Sequence, residues 1–497
     1  MSRNLRDFRG VARPVGVVVT GLAVFIGLCA AVGGVWHALD PISDRRGGGS
    51  IALAIAAAIT LVLGVALLLY GRRHAKQTIT RREAVVSVAF IWLAAGVFGG
   101  IPFVLGAHMA PHDAFFEAIS GFTTTGATVL TDIDGLQSRP LLLWRALIQW
   151  LGGMGIVVLF VAVFPNVGAG SKHMFRGEVP GTTAEGLVPR IAETSFALWR
   201  IYLAFTVLEV ILLAAIGMPL FDSVAHALTT MSTGGFSPRD ASIGAYDSAA
   251  IELVVSGFMI LASVNFGLYF TALRTGSFRP FLRSLELKVF LFIVAVATLV
   301  VTISIVPLHD GNWFQAFRYA LFQVATFASS TGYVTDEYMG YPAPALAIII
   351  FLMFVGGSSG STAGGMKVER IVLMVKQSWS EIHQSFRPAV VRVIRMGRQV
   401  VASDVLADVA AFFGIYMGTL GVLVVFVATV EPVSLPTAFG ASLSCLSNMG
   451  PAPFHVEADN FAGYAPVTKI AFAIAMLLGR LEFFTLLALL VPEFWKR

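Results

Sequence analysis

Four short stretches of this chain place small or unbranched residues directly before a glycine: Thr124-Thr125-Gly126, Ser232-Thr233-Gly234, Ser330-Thr331-Gly332 and Asn448-Met449-Gly450. A backbone extended through such a turn presents a row of carbonyl oxygens, because glycine takes angles that strain a residue carrying a Cβ. Four rows converging on one axis can replace the hydration shell of a monovalent cation. Polar backbone of this kind is tolerated at membrane depth only when buried in protein or lining a water-filled path. One such turn alone reads equally well as a re-entrant loop or a helix C-cap. Four in register do not.

Each turn ends a short amphipathic piece with an apolar span on either side. The pieces read HDAFFEAISGFTTTGATV, LFDSVAHALTTMSTGGFS, RYALFQVATFASSTGYVT and PTAFGASLSCLSNMGPAP, all too brief to cross a bilayer. Aligned on the turns, Gly126, Gly234, Gly332 and Gly450 superpose with spacings of 108, 98 and 118 residues. Internal repetition at this period defines the architecture: helix, half-helix, turn, helix, four times. Four copies can close around an axis as a pseudo-fourfold ring, each half-helix aiming its partly negative C-terminal end inward.

The composition demands such a setting. Of 497 residues, 57% are hydrophobic and 13% charged, with a mean hydropathy of +0.80. A soluble domain carries about 25% charged residues, so a cytosolic enzyme, a secreted disulfide scaffold and a disordered chain are all excluded. Cys29 and Cys445 sit in apolar stretches and form no metal-type spacing. The fold class is an all-α polytopic membrane protein: an accessory two-helix unit (14–70) plus four helix–pore helix–filter–helix repeats (84–163, 196–273, 287–376 and 403–497) around a pseudo-fourfold pore.

Ten apolar runs are expected, at 15–36, 50–70, 84–108, 141–163, 196–217, 251–273, 287–307, 343–376, 403–429 and 463–495. Arg3, Arg6, Arg9 and Arg13 before the first run also fit a secretory signal, but a second long run follows at once. With the N-terminus in the cytoplasm, 25 of the 34 Lys and Arg fall inside and 5 outside, so both termini are cytoplasmic. The outer connections carry 15 carboxylates, a net charge of −10. That excess either complements the positive inner side or concentrates cations over a pore mouth.

On these motifs the chain resembles the membrane subunit of the Trk/Ktr/HKT superfamily of potassium transporters, over nearly its whole length. IQWLGGMGIVVLFVAVFP (148–165), EVPGTTAEGLVPRIAETS (178–195), NFGLYF (265–270), GGSSGSTAGGMKVERI (356–371) and GRLEFFTLLALLVPEFWKR (479–497) are similar to family segments. The leading helix pair and the ending resemble TrkH-type proteins rather than the shorter Ktr type. The third turn, SSTGYV, comes nearest to the potassium-channel filter TVGYG, and the fourth, SNMGPA, is furthest from it. Sodium-favouring plant members place serine at the first filter glycine; here it is Gly126, which points to potassium.

The resemblance implies potassium uptake across a bacterial-type inner membrane, with potassium as transported ion and no other cofactor. Filter carbonyls would come from Thr124, Thr125, Ser232, Thr233, Ser330, Thr331, Asn448 and Met449, with Gly126, Gly234, Gly332 and Gly450 as hinges. It also implies a homodimer in the lipid bilayer and a cytosolic ring of nucleotide-binding, TrkA-like subunits. The chain has no G-x-G-x-x-G fingerprint of its own, and no nucleic acid is implicated. The third repeat's loop, Gly356 to Lys367, would gate the path. Its residues agree: 343–376 is too long for one straight span, and Gly356, Gly357, Gly360, Gly364 and Gly365 break its middle. No Gly-Lys-Ser/Thr follows, so it is not a phosphate loop.

Arg480, deep in the last span, is costly there and faces the interior or a water-filled cavity. Below the filter it would repel cations and anchor the loop through its carbonyls; the alternative is a structural pair with Glu482 or with helix carbonyls. Glu209, mid-span in the second repeat, is either a proton or cation site or hydrogen-bonded packing. It is the sole sequence support for symport of potassium with protons or sodium. His108 and His112 read as solvated, His226 as packing, and Lys469 as snorkelling to the interface. The basic amphipathic stretch 376–400 reads as inner-side bias or as a docking surface. An intramembrane enzyme would need paired carboxylates or a histidine-metal cluster at membrane depth, which these residues do not form.

Overall fold

The structure, a computed structural model, describes residues 10–39, 44, 48–72, 81–136, 138–155, 191–387, 393–397, 399–454 and 460–495. The expected segments 156–165 and 178–190, and the terminal Lys496 and Arg497, lie outside the described residues. Among the described residues the chain is helical, apart from a two-residue hairpin pairing Arg395–Met396 with Gln399–Val400 and an isolated bridge between Asp44 and Ser138. Helices α1 (Ala12–Leu39) and α2 (Gly49–Arg72) form an antiparallel pair. Their backbones approach closely at Gly16 and Gly64, where a Cβ would run into the facing helix.

One order then recurs. A long apolar helix (α3, Arg81–Gly106) leads to a short one (α4, Pro111–Phe122), a buried turn and a second helix (α5, Arg139–Gly153). The second pass is α6 (Ile191–Ala215), α7 (Leu220–Met231) and α8 (Ala249–Ala262), continued by α9 (Phe266–Thr275). The third is α10 (Leu285–Ile305), α11 (Trp313–Ala328) and α12 (Ala343–Val355), continued by α13 (Val368–Phe386). The fourth is α14 (Ser403–Val430), α15 (Leu435–Ser447) and α16 (Pro466–Arg480). The short helices have 12, 12, 16 and 13 residues. That is about 18–24 Å, less than the ~30 Å of a hydrocarbon core. Proline or a side-chain cap starts each one: Pro111, Pro219, Asn312 accepting from Gln315 N–H, and Ser434 accepting from Thr437 N–H.

Burial runs opposite to that of a soluble protein. Glu117, Arg145, Gln149, His226, Gln323 and Lys367 are buried, whereas Val62, Phe90, Ile211, Phe292, Leu299, Val422 and Val425 are exposed along their helices. Apolar side chains outside and hydrogen-bonded polar ones inside are the arrangement a lipid solvent selects.

The ten continuous runs expected from hydropathy need correction. Among the described residues, six helices are long and apolar enough to cross (α1, α2, α3, α6, α10 and α14), and α8 with α9 is a pair bent by 85°. A break was expected only in the third repeat. Instead α5, α8, α12 and α16 all stop, after 15, 14, 13 and 15 residues, at the level of the buried turns. The physical reason lies in what the breaks release. Carbonyls of Gly152, Gly153, Ala262 and Ser263 lose helical partners and accept hydrogen bonds from Arg480 or from the loop after α12. Irregular backbone is held at membrane depth because protein donors satisfy it.

Candidate functional site

The four turns share one backbone. Thr124, Thr233, Ser330 and Asn448 all take left-handed angles, with φ of 55°, 54°, 56° and 54°. The next residue's N–H reaches back onto its own short helix: Thr125 to Ser120 O, Gly234 to Thr229 O, Thr331 to Thr326 O (each 2.9 Å) and Met449 to Ser444 O (3.0 Å). A glycine with positive φ follows in every case: Gly126 (82°), Gly235 (77°), Gly332 (82°) and Gly450 (98°). Left-handed Thr and Ser cost of order 1 kcal/mol each and persist only where the surroundings over-determine them.

These glycines close the ring. A Cβ on Gly126 would collide with the carbonyl of Gly234, one on Gly235 with that of Thr331, and one on Gly332 with that of Met449. A Cβ on Gly450 would lie 2.8 Å from the carbonyl of Thr125. First turn meets second, second third, third fourth, and fourth first.

The ring corrects the sequence alignment at one place. Gly235, not Gly234, stands level with Gly126, Gly332 and Gly450, so the glycine spacings are 109, 97 and 118 residues. Gly234 matches Thr125, Thr233 matches Thr124, and Ser232 moves back to the helix-capping position of Thr123 and Ser329. Either glycine of the pair fits a spacing rule, and only the backbone angles separate them.

Side chains lock the turns. Thr123 and Thr125 hydroxyls bond at 2.7 Å and Ser329 and Thr331 at 2.6 Å, while Asn448 Nδ2 donates to Thr125 Oγ1 and Met476 O, both at 2.9 Å. Tyr333, one residue past the third glycine, bonds through its hydroxyl to Thr229 Oγ1 at 2.5 Å and through its N–H to Thr326 Oγ1 at 2.7 Å. Gln149, from α5, donates to Gly234 O at 2.7 Å and accepts from Phe236 N–H at 3.0 Å.

The loop Gly356–Lys367 lies directly against this ring. Gly364 N–H donates to Ser330 Oγ (2.5 Å), Gly365 N–H to Ser447 O (3.0 Å) and Thr362 Oγ1 to Met231 O (3.1 Å). Gly356, Gly360 and Gly365 take positive φ, and Gly357 and Gly364 are too crowded for a Cβ. Arg480 ties the loop to the first repeat, donating from Nη1 to Thr362 O and from Nη2 to Gly152 O and Gly153 O, all at 2.8 Å. Glu482 pairs instead with Arg370, at 2.8 Å. Lys367, also buried, donates through Nζ to Ala363 O. The loop thus contacts turns two, three and four itself and reaches the first repeat through a guanidinium.

The family model described as "TrkH: Cation transport protein" matches residues 50–497. The chain belongs to the TrkH family. It is 37% identical to the Trk system potassium uptake protein TrkH of Halomonas elongata over 448 residues, covering 89% of this chain and 92% of that one. With the namesake from Salmonella typhimurium it shares 35% identity over 500 residues, covering 98% and 99%. The crystal structure of the potassium transporter TrkH from Vibrio parahaemolyticus matches with a TM-score of 0.86 at 33% identity, covering 98% of this chain and 100% of that one.

This TrkH-family chain is a multi-pass membrane protein, and its relatives are transporters rather than enzymes. The side that the sequence reads as outer departs from that reading in one respect. Lys469 does not snorkel: its side chain is 5% exposed and pairs with Asp113 at 2.6 Å. Several of the carboxylates that the sequence places outside are likewise engaged. Asp222 accepts from Arg239 (2.8 Å) and Tyr246 (2.7 Å), and Asp240 from the N–H groups of Ile133 and Asp134. His226 is packed as expected, its Nδ1 bonded to Asp222 O and its Nε2 to Ser237 Oγ. His108 and His112 belong to no metal-type cluster among the described residues.

Two residues escaped the sequence reading. Arg145 is buried, forms a 2.7 Å pair with Glu117, donates to Ser237 O at 2.9 Å and stacks 3.6 Å from the Phe236 ring centroid. The pair holds the first repeat to the second beside the ring. Gln149 stands one turn further along the same helix. Both are polar residues inside an apolar run, which was the available signal.

Proposed function

We propose that this chain takes up potassium across the bacterial inner membrane through the ring of four turns. The closed ring carries the reading. Carbonyls of Thr124, Thr125, Thr233, Gly234, Ser330, Thr331, Asn448 and Met449 replace water around the dehydrated ion. The four short helices add partly negative C-terminal ends. Arg480 and Lys367 set positive charge against the ring through the loop Gly356–Lys367, which acts as the gate and must shift before a cation passes. The names of the relatives, potassium uptake proteins, support the choice of ion.

The same reading takes the repeats as 84–163, 196–273, 287–376 and 403–497 and the termini as cytoplasmic. It also includes a homodimer and a cytosolic ring of nucleotide-binding subunits. Helix α13 leaves the gate directly at Val368 and exposes Val375, Trp379, Ile382 and Phe386, a face on which such a partner can pull. The test is rubidium and sodium uptake into proteoliposomes with and without the cytosolic partner. Rubidium entry with sodium exclusion supports the reading; equal entry of both overturns it.

Symport with protons or sodium has one observation in its favour. Glu209 is buried in α6 beside Thr230, and neither carboxyl oxygen makes a well-formed hydrogen bond among the described residues. A reversal potential that follows the potassium gradient alone rules coupling out.

A further inference from the structure

The second turn is built differently from the others. At the position after the left-handed residue, the first and third turns carry Thr125 and Thr331, whose hydroxyls bond to Thr123 and Ser329 two residues earlier. Each of those strands is thereby clamped to the end of its own short helix. The fourth turn uses Ser444 Oγ, which donates to Gly450 O at 2.8 Å. In the second turn the position is Gly234, which has no side chain to pair with Ser232; Ser232 Oγ keeps the contact to a helix carbonyl, Thr229 O, that Ser329 also makes to Thr326 O.

Gln149 supplies the missing clamp from another repeat. It is fully buried, and its amide spans the strand, with Nε2 on Gly234 O at 2.7 Å and Oε1 on Phe236 N–H at 3.0 Å. A Cβ at 234 would overlap that amide, so Gln149 and a side chain at 234 exclude each other. This explains the Gly-Gly pair: Gly235 provides the positive φ and the contact with Thr331 O, and Gly234 makes room for Gln149. The carbonyl Gln149 holds is also the one against which Gly126 packs, so the amide fixes the seam between the first and second turns.

We propose that Gln149 is the positioning residue that sets the second filter strand and so determines how well the ring separates potassium from sodium. The proposal rests on the ring being the ion filter. Without the amide, Gly234 O is free to follow a smaller ion, and selectivity falls while conduction remains.

The experiment measures the rubidium-to-sodium flux ratio in proteoliposomes of the full chain. Gln149→Ala lowers the ratio about tenfold with rubidium flux retained, the loss expected from two hydrogen bonds at one filter strand. Gln149→Leu, which fills much of the same space but has neither donor nor acceptor for the strand, lowers it similarly and serves if the alanine variant does not fold. Gly234→Thr alone collides with the amide and also loses selectivity. Gln149→Ala with Gly234→Thr recreates beside Ser232 the hydroxyl pair of the first and third turns, and restores the ratio to within about threefold of wild type. A wild-type ratio in either Gln149 variant, or a double variant no better than Gln149→Ala, overturns the proposal and leaves the ring as filter. A wild type that passes both ions equally removes the filter reading itself, and this one with it.

Discussion

Single residues in this protein act by what they give the backbone. Arg480 donates to three carbonyls on two repeats from one planar fork, a geometry a lysine ammonium cannot reproduce. Arg480→Ala therefore frees the loop, and rubidium flux in the absence of a cytosolic partner rises several-fold, with Arg480→Lys in between. Flux equal to wild type in both would remove Arg480 from gating. Glu117 and Arg145 are a buried pair, and removing one partner strands a charge at a cost of about 3–5 kcal/mol. Glu117→Ala should accordingly lower the thermal unfolding midpoint of the detergent-solubilised protein well beyond what the exposed Glu337→Ala does. Here the sequence was half legible. Arg480 stands out as a charge in an apolar run, and a loop carbonyl as its partner was foreseen, whereas the carbonyls of Gly152 and Gly153 were not named. Gln149 is one glutamine among apolar residues until the carbonyl it holds is known.

At the scale of elements, the turns and short helices were readable because their lengths and small residues repeat. The breaks in α5, α8 and α16 were not. Gly152-Gly153, Ser263 to Asn265 and Leu481 to Phe483 lie inside apolar runs, and hydropathy does not register that a carbonyl has exchanged a helical donor for Arg480 or a loop N–H. The Gly234–Gly235 pair was ambiguous for a related reason: composition names the hinge, and only φ says which glycine bends. The loop Gly356–Lys367 was legible as a break, and its seating against Ser330, Ser447 and Met231 is what supports the proposal that it gates the path. Gly364→Ala places a Cβ against the Ser447 carbonyl and the Ser330 hydroxyl. The loop then seats poorly, and rubidium leak without a partner increases; an unchanged leak would mean the loop does not close the path.

For the whole molecule, charge asymmetry in the sequence predicts the orientation, and burial agrees with a lipid exterior. Both native cysteines are buried, so cysteines introduced at exposed sites report topology with little background. Glu337→Cys should react with an impermeant maleimide applied outside intact cells, and Thr275→Cys only after the membrane is opened. The reverse pattern would invert the assigned topology. Four unequal repeats also make four unequal quarters, clamped by hydroxyl pairs in the first and third, by Gln149 in the second and by Ser444 in the fourth. Each quarter should therefore affect selectivity to a different degree.

The ring itself is tested most directly by rubidium and sodium flux into proteoliposomes for wild type beside Gly126→Ser. Gly126 has φ of 82°, and a Cβ there meets the Gly234 carbonyl across the seam between the first two turns. The expected result is a wild type that passes rubidium and excludes sodium, and a variant that has lost most of that preference. A wild type passing both ions equally, with Gly126→Ser unchanged from it, would contradict the assignment of the four turns as the selectivity filter.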